Sequence, residues 1–166
     1  MNKKFRELLE EYKENASIQF ELAEITEENA PAYLAKEMSV AISEQDWNAW
    51  QTLFEMACSI DSYDVKAAAL NELLLMHGHN LHQAITREIQ LFAHPSSVTA
   101  IRKILEQGFS MFEYTCSEDS VIAKWFSHAL AGIGTSEAIE VIKQFAQSSN
   151  EEVASEMKYR LEKIHA

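Results

Sequence analysis

The sequence predicts an all-α fold, and three observations predict it. An apolar set at relative positions 0, +8 and +11 occurs three times: Val65, Leu73 and Met76; Ile122, Leu130 and Ile133; and Val153, Leu161 and Ile164. The last two copies are 31 residues apart, and the first lies 57 residues before the second. Between them, Thr135-Ser136-Glu137-Ala138-Ile139-Glu140-Val141-Ile142 echoes Ser97-Val98-Thr99-Ala100-Ile101-Arg102-Lys103-Ile104. The third observation is sparse punctuation, with two prolines and four glycines in 166 residues, too few for the many turns of a β-rich fold. A period of about 30 to 40 residues with helical apolar spacing is the signature of stacked helix pairs. One such unit cannot bury its apolar face alone, so copies must stack, and the slab they form commonly binds other macromolecules.

The elements follow in order. Phe5, Leu8, Leu9 and Tyr12 share one face of a short first helix, which Asn15 and Ser17 end. Ile18 to Ile25 alternates in part like a strand, but no second strand exists to pair with it, so a short helix is expected. Thr26, Glu27 and Glu28 open the next helix, with Pro31 early in it and an end near Ile42. Asp46 is suited to cap a helix from Trp47 to about Ser59 that buries Trp50, Leu53, Phe54 and Ala57. A helix from Val65 to Met76 closes at Gly78, another spans about Asn80 to Ala93, and Pro95-Ser96-Ser97 opens one ending near Gly108. The connector Gly108 to Ser117 is aromatic and is expected to pack. Helices from Asp119 to Ile133 and from Thr135 or Ser136 to about Gln147 follow, and Ser149-x-x-Glu152 reads as a capping box opening the last. That makes roughly eight to ten helices of about three turns each. Residues 1–166 read as one domain, with acidic helices over 1–64 and the recognisable repeats over 65–166. The helix at about Asn80 to Ala93 disturbs the phase of the first copy, so one pair is irregular or that match is out of register.

Charge bounds the partners. The net charge is −12, of which residues 1–64 contribute −9. A nucleic-acid binder needs the opposite sign to displace counterions from phosphate, so direct binding to DNA or RNA is disfavoured. A basic protein would be steered toward the N-terminal half. Cys58 and Cys116 lack pair spacing and read as reduced, mostly buried thiols of a cytoplasmic protein. No apolar run approaches a signal peptide or a membrane span, so no membrane partner is expected.

The candidate chemistry is thin. His77, His79 and His82 form His-x-His-x-x-His, which could hold zinc, but no cysteine lies near. The competing reading is a polar turn in which His77 and His79 face water and His82 caps or packs. Gly132-Ile133-Gly134 follows a helix rather than a strand, so it reads as a helix C-cap and not a phosphate loop. No serine or cysteine occupies a nucleophile motif, and the Glu10-Glu11, Glu27-Glu28 and Glu151-Glu152 pairs sit in first turns or on polar faces. The expectation is no catalytic residue, no cofactor and no metal. Trp47 and Trp50 share a helix face, with Trp50 expected in the core and Trp47 as an exposed anchor.

The segment Ala129-Leu130-Ala131-Gly132-Ile133-Gly134-Thr135-Ser136-Glu137-Ala138-Ile139 resembles HEAT-like repeats, in the short variety whose A-L-x-x-I-G-T-x-E-A-I turn joins two helices. Asn150-Glu151-Glu152-Val153 fits the element that opens the following helix, and Asp64-Val65-Lys66 is similar to it. From His77 to Ile164, a little over half the chain, the sequence resembles small bacterial HEAT-like proteins with a His-rich junction, a His-Pro-x-Ser-Val segment and an aromatic connector. The resemblance implies a HEAT-like α-solenoid of stacked antiparallel helix pairs and an immunity protein that neutralises a toxin of the same polymorphic or contact-dependent inhibition system. It departs at Ala154, where HEAT-like units usually place Arg after the opening Val. The expected partner is a cognate toxin domain, a basic nuclease held in a 1:1 complex with its active site occluded. Glu24, Glu27, Glu28, Asp46 and Trp47 are the candidate contacts, acids clustered around one aromatic. A HEAT-like scaffold or adaptor joining other proteins is the alternative.

Overall fold

The computed structural model describes Thr26, residues 28–165 and the isolated position Glu7. The expected helices around Phe5–Tyr12 and Ile18–Ile25 lie outside the described residues. Among those described, all regular structure is helical. The α-helices are α1 (Ala30–Glu44), α2 (Trp47–Cys58), α3 (Tyr63–Leu75), α4 (His82–Phe92), α5 (Ser97–Gln107), α6 (Asp119–Ile133), α7 (Ser136–Phe145) and α8 (Glu151–His165), with a 3-10 helix at Ser110–Thr115. The chain divides into two compact units, Met1–Leu81 and His82–Ala166.

In the first unit, α1 packs on α3 and α2, and α2 packs on α3. Thr26 and Asn29 bracket the start of α1 reciprocally: the Thr26 N–H donates to Asn29 Oδ1 at 2.9 Å, and the Asn29 N–H donates to Thr26 Oγ1 at 3.3 Å. Pro31 then sits in the first turn, where a missing N–H breaks no helical bond. Asp46 caps α2 by accepting from the Ala49 N–H at 3.0 Å. Leu34, Met38 and Ala41 form an i, i+4, i+7 stripe on α1 that is buried with Trp50, Leu53 and Ala57 of α2 and Leu70, Leu73 and Leu74 of α3. Gly78 turns the chain after α3 at φ +94°, and a Cβ there would lie 2.9 Å from Ile42 Cγ2.

The second unit has two rows. α4 packs beside α6 and α6 beside α8, while α5 packs beside α7. The 31-residue spacing of the apolar set therefore becomes lateral contact between α6 and α8, whose Ile122, Leu130, Val153 and Met157 are all buried. The neighbour of α6 on its other side is α4, whereas α3, which bears the first copy, belongs to the first unit. The Thr135 hydroxyl caps α7 through the Ala138 N–H, and Gly134 ends α6 at φ +66°. Gly132 brings α6 close to α4, since a Cβ there would meet the Gln90 carbonyl at 3.1 Å. The aromatic connector does pack. Phe112 is fully buried, with ring centroids 5.0 Å from His82, 5.8 Å from Phe126 and 5.9 Å from Phe109.

Polar ties run between α6 and α8 at nearly the same spacing. The Asn150 side-chain N–H donates to Asp119 Oδ2, and the Ser120 N–H donates to Glu152 Oε2 at 2.8 Å. Further along, Ser127 Oγ donates to Glu156 Oε1 at 2.7 Å and accepts from Arg160 Nε at 3.2 Å, while Arg160 also pairs with Glu156 at 3.1 Å. Both ends of the pair are thus in register, so α6 and α8 run parallel. These ties correct the expected capping box. Asn150, not Ser149, caps α8 by accepting from the Glu152 and Val153 N–H groups, because Glu152 is drawn away to the start of α6.

Candidate functional site

The histidine motif is split between the units, and its members do three different things. His77 is exposed, but His79 is buried, which corrects the expectation that both face water. The Leu81 N–H donates to His79 Nδ1 at 3.0 Å, so Nδ1 is an acceptor and the ring proton is on Nε2. Nε2 donates to the Leu73 carbonyl at 2.9 Å, one of the last acceptors of α3. His79 thus serves as a neutral clamp on the end of a helix. Burial, foremost, pushes its pKa below the ordinary histidine value, and His77 adds to that against the opposing Leu73 hydrogen bond. His82 is also fully buried, with Nδ1 3.0 Å from the Tyr114 hydroxyl. Among the described residues, no three His, Cys, Asp or Glu side chains are placed to hold a metal. Cys116 is exposed, so the expectation of mostly buried thiols fails there: it is the left-handed residue ending the 3-10 helix, at φ 51°.

Of the candidate contacts, Glu24 and Glu27 lie outside the described residues, and Glu28 is exposed before α1. Asp46 spends one carboxylate oxygen on the α2 cap. Trp47 is 59% exposed, with its ring edge-on to the buried Trp50 at 4.2 Å. Glu28 precedes the start of α1, whereas Asp46 and Trp47 follow its end. The fifteen residues of α1 separate Glu28 from Asp46 and Trp47 by about 20 Å, so of the described candidate acids only Asp46 adjoins Trp47.

The second unit carries two grooves that the sequence did not disclose. One, of about 430 Å³ between α6 and α8, is lined by Ser120, Glu151, Glu152, Ser155, Glu156 and Tyr159. Tyr159 is half-exposed, with Lys163 Nζ 5.3 Å from its ring centroid. The other, of about 250 Å³ between α4 and α6, is lined by Gln83, Thr86, Arg87, Gln90, Lys124, Trp125 and His128. On α6, Ser120, Lys124 and His128 are spaced i, i+4, i+8, so both grooves open on one side of the α4–α6–α8 row. The sequence signal is the polar series Ser120, Lys124 and His128 along one face of α6. No helix among the described residues is long and apolar enough to cross a membrane. Comparison with known protein families, with curated proteins and with solved structures finds no match.

Proposed function

We propose that this chain is a HEAT-like binding protein that acts as an immunity protein. It captures a basic toxin domain, most simply a nuclease, and covers its active site. The observation that carries the reading is Trp47. This large aromatic is left mostly in solvent, in the half of the sequence that holds a charge balance of −9. Tryptophan at the centre of an interface is a frequent anchor, and an overall acidic charge steers a basic, phosphate-binding partner toward it. Such an inhibitor works by binding alone, with no turnover. The lateral pairing of α4, α6 and α8 in one row and α5 and α7 in the other favours a HEAT-like stack in the second unit.

The scaffold reading shares the binding surface, and one observation favours it: grooves of opposite charge flank α6, which suits the joining of two dissimilar partners. Gene position separates the two, since immunity requires a toxin gene adjacent. The direct test is co-expression with the toxin domain. Protection should be lost with Trp47→Ala, and Glu28→Lys should slow association and reduce its salt dependence. Asp46→Asn, which keeps an acceptor for Ala49, is the control that leaves the helix cap in place. Unprotected cells, or unchanged association in both variants, would remove the proposal.

A further inference from the structure

We propose that the groove between α4 and α6 is a second binding site, which takes an acidic segment of a protein partner. This inference does not rest on the immunity reading, because it uses a different surface and the opposite charge.

The groove is an exception to the character of the chain. The molecule carries −12 overall, yet the only ionic side chains lining this groove are Arg87 and Lys124. Both are exposed, and neither forms an ion pair among the described residues. The sequence explains why. Positions three and four residues away from Arg87 hold Gln83, Ala84, Gln90 and Leu91, and those around Lys124 hold Ser120, Val121, Ser127 and His128. No helical neighbour is an acid, so neither cation is quenched on its own helix. His128 adds no charge near neutral pH, because burial, then Arg160 and Lys124, lower its pKa against the opposing effect of Glu156.

The remaining lining fits a peptide. Trp125 is half-buried, backed edge-on by Phe112 at 6.3 Å, and offers an apolar surface to the stem of a Glu side chain. Gln83 and Gln90, one on each side of Arg87, offer amides that can both donate to and accept from a peptide backbone. Arg87 presents the planar fork that binds a carboxylate through two parallel hydrogen bonds, and Lys124 supplies a point charge for a second acid. Size and charge narrow the class further. At about 250 Å³ the groove is smaller than the roughly 300–1,000 Å³ pockets that enclose drug-sized ligands, so it suits one or two side chains. A nucleic acid would bring many phosphates to a chain of charge −12 that offers two cations here. A short acidic segment feels chiefly the local cations, since charges beyond about 8 Å are screened at physiological salt.

The test is fluorescence anisotropy with a fluorescein-labelled glutamate-rich octapeptide, compared with its glutamine counterpart, inorganic phosphate as competitor and a labelled single-stranded DNA octamer. Heteronuclear NMR locates the contact. The glutamate peptide should bind saturably and shift the Trp125 indole N–H resonance while leaving that of Trp47 in place. Arg87→Glu and Lys124→Glu should each weaken binding by about tenfold, and because both side chains are exposed and unpaired the melting temperature should not move. Arg87→Gln and Lys124→Gln should weaken it less. Equal binding of the glutamine peptide, tighter binding of the DNA, phosphate competing at the peptide's own concentration, or unchanged affinity in both charge-reversed variants would each overturn the assignment.

Discussion

The two units handle buried polarity differently. In the second, Ser127, Glu156 and Arg160 form a closed set across α6 and α8, supported by Asn150–Asp119 and Glu152–Ser120. Their spacings of 29 to 33 residues match the repeat, so each tie joins positions that the period itself brings side by side. In the first, Glu37 Oε2 and Trp50 Nε1 are buried without a hydrogen-bond partner, while in the second Arg102 Nε, on α5 and outside the α6–α8 ties, is left so even though the same guanidinium pairs with Glu137 at 3.3 Å. A repeat can place a polar partner one period away. A unit without that lateral register must satisfy its polar groups by chance or leave some unsatisfied.

The largest test of this contrast is Phe112→Ala, which removes the side chain around which His82, Phe109, Trp125 and Phe126 gather. It should cost the second unit about 3–5 kcal/mol in urea unfolding. Glu156→Ala comes next. It strands Arg160, which is largely buried, and should cost roughly 3 kcal/mol, because an uncompensated buried cation remains. The counterpart in the first unit should behave the other way: Glu37→Leu deletes an acid with an unpartnered oxygen and should be neutral or stabilising. A loss comparable to that of Glu156→Ala would break the comparison.

The pH dependence sharpens it. The folded-state pKa of His79 lies below its unfolded value of about 6.5, so below that pH the unfolded chain binds more protons than the folded one. Its contribution is complete above about pH 6.5 and is lost as pH falls from there through the folded-state value. His128 shifts in the same direction, so the isolating measurement is the urea midpoint against pH in the native protein and in His79→Gln. The curve of the variant should fall less steeply on acidification.

Asp46→Ala should cost about 1 kcal/mol through the lost α2 cap, and Asp46→Asn almost nothing. Trp47→Ala should change stability by less than about 0.5 kcal/mol, because the ring is 59% exposed, while abolishing partner capture.

Much of the fold was legible because its signals are local. The caps at Asp46 and Thr135 each need an acceptor three residues before an N–H, and Gly134 needs only a positive φ. The 0, +8, +11 set marks buried positions at Leu73, Ile122, Leu130 and Val153, because a helix repeats every 3.6 residues wherever it is, but its +11 members Met76 and Ile133 are half-buried and Ile164 is exposed. Even the packing of the aromatic connector followed from the cost of exposing Phe112.

The failures are the places where a distant group decided the outcome. Ser149-x-x-Glu152 has the spelling of a capping box, but Glu152 found the Ser120 N–H 32 residues upstream. His79 looked like a turn residue until α3 offered the Leu73 carbonyl. Glu28 and Asp46 belong to one acidic group in the sequence, and the length of α1 holds them apart. Arg87 and Lys124 are unremarkable surface residues in the sequence, and only the lateral approach of α4 and α6 makes them a cationic groove. Among the described residues, the sequence alone determined which segments are helices, most of their starts and much of their apolar faces, because those depend on neighbours within one turn. Tertiary structure decided which helices are adjacent, and with that every binding surface, because a site is made by side chains that the chain brings together only after it has folded.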